Sequence, residues 1–173
     1  DSCGASDWGG ATDSVSYDKI YEGRFALLKK AYARYDFEGD QGFSEFYDKN
    51  RFWLKDYALY MAVKDKNNGL CWSDWEEDIR LREEDAVRKY EAMLEEDIRF
   101  YVFIQYMFRT QWMALKKYAN EKGIRIIGDI PIYVSFDSVD VWAGPELFLL
   151  DKNRIPTAVS GCPPDAFSAD GQL

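Results

Sequence analysis

The stretch IIGDIPIYVSFDSVDVWAGPELF, residues 126–148, decides the fold class. Residues 124–134 are almost continuously β-branched or apolar, which is the pattern of a strand buried on both faces. A helix, a glycine stop at Gly123 and such a strand make half of a βαβ unit. A buried strand of this type needs parallel neighbours, and the sequence offers none. We therefore predict an α/β parent protein of which this chain is an internal fragment.

The polar and aromatic residues around this strand are candidates for function. Asp129 lies inside the strand, and Asp137, Asp140 and Trp142 follow in the next loop. In barrels of parallel strands, functional residues lie at the carboxyl ends of the strands and in the loops after them. Asp137 and Asp140 are equally typical of turn caps, and Trp142 suits core packing as well as ligand contact. A buried carboxylate such as Asp129 is costly unless it is hydrogen-bonded or functional.

The residues before this strand are predicted to be mainly helical. Apolar periodicity indicates a helix from about residue 16, a second one over about 44–66 that Asn50 could interrupt, and a third over about 84–120. The sequence Asn67-Asn68-Gly69 predicts the end of the second helix, because Asn and Gly tolerate the left-handed conformation.

Local motifs complete the predicted organisation. Ser73 and Glu76 have the spacing of a capping box, residues 76–85 suit a solvated face, and short strands are predicted at 147–150 and 157–160. The resulting regions are a loop over 1–15, a helical region over 16–123, a strand over 124–134, and a hairpin with a following loop over 135–173.

The composition limits the chemistry. The 173-residue chain carries a net charge of −9, which argues against nucleic-acid and anionic-membrane partners. It contains no histidine, which excludes Ser-His-Asp and Cys-His sites and histidine-ligated metal. No cofactor or metal is predicted. Three cysteines without CxxC spacing indicate free thiols, and we expect a cytoplasmic protein.

Five stretches carry a resemblance to a known family. The two most specific are GIRIIGDIPIYVSFDSVDVWAGPELF and PTAVSGCPPDAFSADGQL; upstream, YEGRFALLKKAY, WSDWEEDIRLR and FIQYMFRTQWMALKKYANEKG follow in the same order. Together they resemble the 4-alpha-glucanotransferases, also called amylomaltases or disproportionating enzymes, of glycoside hydrolase family 77. The resemblance covers the chain from about Tyr17 onward.

The resemblance implies a fold and a set of substrate contacts. The fold is an α-amylase-like (β/α)8 barrel with a helical inserted subdomain, in which residues 128–134 would be the third barrel strand. Asp129 is similar to the aspartate of the first amylase sequence region, and residues 163–172 resemble a loop beside the active-site cleft. The substrate-binding residues expected from the motif and its loops are Asp129, Trp142, Phe167, Ser168 and Gln172.

The resemblance also implies a reaction. These enzymes transfer a segment of a 1,4-alpha-glucan, or maltooligosaccharide, to an acceptor sugar by a retaining double displacement on two carboxylates. The nucleophile lies in an Arg-x-Asp-His context, which a chain without histidine cannot contain. We therefore expect the catalytic residues further along the parent protein, and the chain alone to be inactive.

Two alternatives remain open from the residues alone. One is a helical interaction module, and the other is an amylase-type hydrolase. Transfer and hydrolysis differ only in whether a sugar or a water molecule reaches the covalent intermediate, and only the resemblance favours transfer. An Arg-x-Asp-His motif downstream would separate the enzymes from the interaction module.

Overall fold

The computed structural model describes residues 14–130, 133–158 and 161–171. Within these ranges the chain is mainly helical, as predicted. Two short 3-10 turns, Trp72–Asp74 and Pro145–Leu147, separate some of the helices. The α-helices are α1 (Tyr17–Tyr32), α2 (Gln41–Lys66), α3 (Glu77–Arg80), α4 (Glu84–Met93), α5 (Glu95–Glu121) and α6 (Val139–Ala143).

Helix α2 is continuous, so the predicted interruption near Asn50 is wrong. The Asn50 side chain donates to the carbonyl of Phe46 at 2.7 Å, four residues back, and so stays within the helix. The N-cap is Asp40, whose carboxylate accepts from the Gly42 amide at 2.8 Å. The predicted stop is confirmed, because Asn68 and the glycine after it have φ values of 54° and 79°.

The helix predicted over 84–120 is two helices that meet at Leu94. Leu94 leaves the helical conformation (φ −113°, ψ 22°), although its amide still bonds to the Tyr90 carbonyl. Three acidic residues, 95–97, occupy the first turn of α5. They stabilise the new helix start because they face the positive end of its dipole.

The capping box predicted at Ser73 is wrong. Ser73 lies in a 3-10 turn, and its hydroxyl donates to the Cys71 sulfur at 3.2 Å instead of capping a helix. Glu76 precedes α3 with extended backbone and accepts from the Tyr90 hydroxyl at 3.2 Å. The Glu76 carboxylate therefore bonds to the hydroxyl of a tyrosine 14 positions away instead of to the nearby Ser73 amide, as a capping box would require.

The core lies between α2 and α5 and is rich in aromatic rings. Helix α1 has no fully buried residue and attaches to α5 through ring contacts. Tyr32 of α1, for example, packs edge-on against Phe100 and Phe103 with ring centres 5.5 and 5.6 Å apart. Such geometry is favourable because the positive edge of one ring meets the negative face of the other.

The predicted buried strand is not formed by the described residues of 124–134. Residues 124–130 are irregular and exposed, and Ile127 and Ile130 retain 93% and 84% of their accessible surface. Residues 131–132 lie outside the described part of the chain. The physical reason is that a strand forms by pairing, and the described residues offer this stretch no partner.

The hairpin predicted after it is present only in reduced form. An isolated antiparallel bridge joins Leu150 to Pro156, and residues 145–147 form a 3-10 turn instead of strand. Residues 159–160 of the second predicted strand lie outside the described ranges. No helix among the described residues is long and apolar enough to cross a membrane.

Candidate functional site

The segment that follows the extended stretch, residues 136–158, is fixed to the helical region; we call it the docked segment. Its first anchor is Asp137, whose carboxylate accepts from the Tyr60 hydroxyl and from the Lys64 ammonium, both at 2.6 Å. A second anchor is the Trp72 indole, which donates to the Phe136 carbonyl at 2.7 Å. Two groups on α2 and one just after it therefore hold the start of the docked segment.

The electrostatics of Asp137 follow from these contacts. Partial burial raises the pKa of the Asp137 carboxyl, but hydrogen bonds from Lys64 and Tyr60 outweigh this and leave the pKa below its ordinary value. The same environment raises the pKa of Tyr60, mainly through burial and then through its bond to Asp137. Asp137 is therefore a long-range anchor, not the turn cap that its sequence position also suggested.

Replacing Asp137 by asparagine is expected to lower the free energy of unfolding of the 173-residue chain by about 1–2 kcal/mol at pH 7. The loss is modest because solvent weakens the ion pair, in which 36% of the Asp137 side-chain surface remains accessible. Urea unfolding followed by circular dichroism measures the difference.

The pH dependence of that difference has a definite sign. Because the folded pKa of Asp137 is depressed, its contribution is complete above the unfolded value of 3.8 and is lost as the pH falls through the lower folded value. The gap between the parent and Asp137→Asn should therefore narrow below about pH 4. A gap that is constant from pH 7 to pH 3 would show that the ion pair does not supply it.

Trp142 belongs to the core, which corrects its prediction as a substrate contact. Its side chain is 0% exposed, and its indole N–H donates to the Ile79 carbonyl at 3.1 Å. The ring lies 5.7 Å from those of Tyr60 and Trp75, and the Arg82 guanidinium covers it at 4.3 Å from the ring centre. Helix α6 is short, and the hydroxyl of Ser138 caps it by accepting from the Val141 amide at 3.4 Å. No glucan can reach a ring enclosed in this way.

Three arginines that the sequence did not single out join the docked segment to α3. The Arg154 guanidinium donates to the carbonyls of Arg80, Leu81 and Trp142 at 3.2, 2.9 and 3.1 Å. In return, Arg80 donates to the Asn153 carbonyl at 3.0 Å. Burial, with Arg82 and Arg80 nearby, lowers the pKa of Arg154.

The stretch 76–85 is the predicted solvated face only in part, because residues 76, 77 and 83–85 are exposed but residues 78–82 are not. Ile79 is 0% exposed, and Arg82 forms a 2.6 Å ion pair with Asp56 of α2 while it covers Trp142. Except for the Trp142 carbonyl, which lies 12 positions from Arg154, the hydrogen-bond partners of these side chains are at least 26 positions away. Helical periodicity and charge patterning describe only near neighbours, so neither could have revealed the contacts.

The turn that presents Arg154 is organised by an aspartate. The Asp151 carboxylate accepts from the amides of Asn153 and Ile155, both at 2.8 Å. Arg154 adopts a φ of 63°, which is uncommon for a residue with a side chain. The turn therefore holds a strained backbone position while its arginine reaches into the helical region.

The loop over residues 161–171 carries two of the predicted glucan contacts, Phe167 and Ser168, and has its own internal order. The Asp165 carboxylate accepts from the amides of Phe167 and Ser168 at 2.8 and 2.9 Å. The Ser168 hydroxyl donates to the Gly171 carbonyl at 2.6 Å. Gly171 has a φ of 74°, and a Cβ there would lie 2.4 Å from the Cys162 carbonyl oxygen. The two ends of the loop, at Cys162 and Gly171, are therefore close together. Only glycine fits at position 171.

Phe167 projects from this loop into solvent. Its side chain is 96% exposed, an unusual state for so large an apolar group. Ser168 is half-buried because its hydroxyl and amide are both used within the loop. Gln172 lies outside the described residues. The structure thus brings Phe167 and Ser168 together on one ordered loop.

Asp129 is not the buried carboxylate that the sequence predicted. It is exposed, and its side chain accepts from the amide of the next residue, Ile130, at 2.8 Å. The cause is the same absence of pairing that leaves residues 124–130 irregular. Within the described ranges, no group of three acidic or cysteine side chains is arranged to hold a metal ion.

Comparisons with known proteins agree with this architecture. A family model described as 4-alpha-glucanotransferase, glycoside hydrolase family 77, matches residues 5–173. The chain belongs to this family. A 4-alpha-glucanotransferase from Clostridium butyricum is 46% identical over 167 residues, covering 96% of this chain and 34% of the relative. The family assignment from the five sequence stretches is confirmed.

Further relatives extend this picture. A chloroplastic/amyloplastic 4-alpha-glucanotransferase from Oryza sativa subsp. japonica is 45% identical over 121 residues, covering 70% of this chain and 20% of the relative. The solved amylomaltase from Streptococcus agalactiae in complex with acarbose superposes with a TM-score of 0.91 at 40% identity, covering 98% of this chain and 35% of that one. The chain thus spans about a third of the length of the bacterial relatives it matches.

Proposed function

We propose that this chain is part of a 4-alpha-glucanotransferase that transfers a segment of a 1,4-alpha-glucan to an acceptor sugar. The observation that carries the proposal is the family match over residues 5–173. The similar solved structure is an amylomaltase in complex with acarbose, which supports an oligosaccharide as the substrate. The net charge of −9 suits a neutral substrate better than nucleic acid or an anionic membrane.

In this proposal the residues of the chain form part of the substrate cleft. Residues 128–134 are a strand of a (β/α)8 barrel, completed by neighbours from the parent protein, and the pairing would bury Asp129 near the barrel top. Phe167, Ser168 and Gln172 lie on a loop beside the cleft. The exposure of Phe167 supports this role, because a ring held in solvent is free to cover the apolar face of a sugar.

The bond-breaking carboxylates are proposed to lie elsewhere in the parent. In a retaining double displacement, one carboxylate attacks the anomeric carbon while a second protonates the leaving sugar. The acceptor hydroxyl then gives its proton to the second carboxylate as it attacks the covalent intermediate. The residues of this chain would bind and orient the glucan and keep water away from that intermediate.

The deciding experiment incubates the full-length protein with maltotriose and separates the products. Transfer yields both longer oligosaccharides and shorter ones, whereas hydrolysis yields shorter sugars and new reducing ends only. The 173-residue chain is the control and should yield neither, because it lacks the Arg-x-Asp-His context. Shorter products alone would replace the proposal with a hydrolase.

The location of the parent protein is a separate proposal. We propose the cytoplasm, on the basis of the three cysteines without disulfide-type spacing. The rice relative is named chloroplastic/amyloplastic, so a plastid is the competing compartment. Microscopy of the tagged full-length protein distinguishes the two.

A further inference from the structure

We propose that Arg154 is a positioning residue for the loop over residues 161–171, and the role in transfer assigned to it rests on the proposed function. The guanidinium donates to the carbonyls of Arg80 and Leu81 at the end of α3, and to that of Trp142 in α6, within the docked segment itself. Its own backbone lies in the turn of the docked segment that leads into the loop. Arg154 thus links the framework of the helical region to the chain segment that carries Phe167.

Backbone hydrogen bonds make the turn around Arg154 a single unit. The Thr157 amide donates to the Leu149 carbonyl, and the Asp151 amide donates to that of Ile155, each at 2.8 Å. These bonds make the turn a unit that moves together with Arg154. The Arg80 guanidinium bonds to the Asn153 carbonyl at 3.0 Å, so the helical region also holds the turn from its own side.

The short distance along the chain makes the turn the natural anchor for the loop. Four residues separate Thr157 from Cys162, so the loop begins within about 18 Å of the turn even when the chain is extended. The hydrogen bonds found for residues 163–171, within the part that the structure describes, are internal to the loop. Cys162, near the start of the loop, lies in a β-bridge. Because the rest of the loop is ordered internally, we expect its position to follow that of the segment that enters it.

The backbone conformation supplies a sharp test. A backbone φ of 63° is less strained for glycine than for arginine, because glycine has no Cβ. If Arg154 served only to fill the turn, Arg154→Gly would leave the protein unchanged or slightly stabilised. If the guanidinium positions the loop, the same change would release the turn from α3 and α6.

The experiment measures maltotriose kinetics for the full-length parent, Arg154→Gly, Arg154→Asn and Lys152→Gln, with thermal melts alongside. Asparagine also tolerates positive φ, and Lys152 is an exposed cation of the same turn, which makes it the matched control. For both Arg154 variants we expect KM to rise about 3- to 10-fold and the hydrolysed share of products to increase, assayed well below their melting temperatures. The Lys152 variant should match the parent.

Each other outcome has a defined meaning. Arg154 variants with the parent's KM and product ratio would overturn the proposal, and so would failure of both to fold, since the residue would then be purely structural. If the full-length parent produces no oligosaccharide longer than maltotriose, the proposed function is refuted, but the link through Arg154 is not. The link is then judged by hydrogen exchange of the Asp151 and Thr157 amides, which should be faster in Arg154→Gly and unchanged in Lys152→Gln; equal rates in the two variants would overturn it.

Discussion

Trp142→Ala is expected to lower the free energy of unfolding of the 173-residue chain by about 3–5 kcal/mol. The substitution removes a ring that is 0% exposed and packed between two other aromatic rings. It also leaves the Ile79 carbonyl without its 3.1 Å partner and the Arg82 guanidinium without the ring that it covers. Urea unfolding followed by circular dichroism gives the value.

Two further variants separate the causes of that loss. Trp142→Phe keeps most of the buried apolar surface but removes the indole donor, so it should cost about 1–3 kcal/mol. Trp53→Ala is the control, because Trp53 is 36% exposed on α2 and bonds only locally, to Asn50 at 3.3 Å. A Trp142→Ala variant no less stable than Trp53→Ala would mean that the docked segment adds nothing to the stability of the helical region.

Helix positions were predictable because their signals are local. The start of α1 and the stop at Asn68 depend on residues within a few positions of each other. The break at Leu94 was missed because the apolar rows of α4 and α5 continue across it with the same period. Periodicity records which side of a helix is buried and does not detect a single residue that leaves the helical conformation.

The anchors of the docked segment were not predictable because they join distant residues. Asp137 bonds to Tyr60, which is 77 positions away in the sequence. Arg154 bonds to Arg80, which is 74 positions away. The Asp137 carboxylate alone is equally compatible with a turn cap, a catalytic group or an ion pair. Only the fold decides between them, by bringing α2 and α3 beside the docked segment.

Tyrosine–carboxylate pairs give the high aromatic content a structural explanation. The hydroxyls of Tyr35 and Tyr106 both bond to Asp40, and that of Tyr101 donates to Asp65 at 2.5 Å. Burial, followed by the bond to Asp65, raises the pKa of Tyr101, while the bond from Tyr35, followed by that from Tyr106, lowers the pKa of Asp40. Much of the aromatic surface that could bind sugars therefore packs the core and places acids at its edge.

The buried strand was predicted from its β-branched and apolar pattern, and the described residues contain no strand that could pair with it. The apolar run at 124–130 fits a buried strand, yet the described residues supply no neighbour to cover Ile127 or Ile130. The same circumstance explains why Asp129 is exposed and bonds only to the next amide. A strand is buried in a sheet only when strands from other parts of the protein pair with it. The sequence of one segment can therefore predict a buried strand, but that segment cannot form the sheet alone.

Phe167 is the proposed substrate contact with the largest exposed apolar surface. It is 96% exposed on a loop whose backbone is fixed by the Asp165 carboxylate and the Ser168 hydroxyl. Because the loop is already ordered, little conformational entropy is lost when the ring meets a sugar. Closing such a loop over the glucan would also exclude water from the covalent intermediate.

Phe167→Ala in the full-length protein is therefore expected to lower kcat/KM for transfer by a factor corresponding to about 1–3 kcal/mol of transition-state stabilisation. The hydrolysed share of products should rise, because the shortened side chain covers the intermediate less well. The melting temperature should stay near that of the parent, since the ring buries almost no surface in the fold. Leu149→Ala is the matched control, an apolar residue 73% exposed on the docked segment outside the loop. If the two variants lose transfer equally, or if neither does, Phe167 does not contact the glucan during transfer.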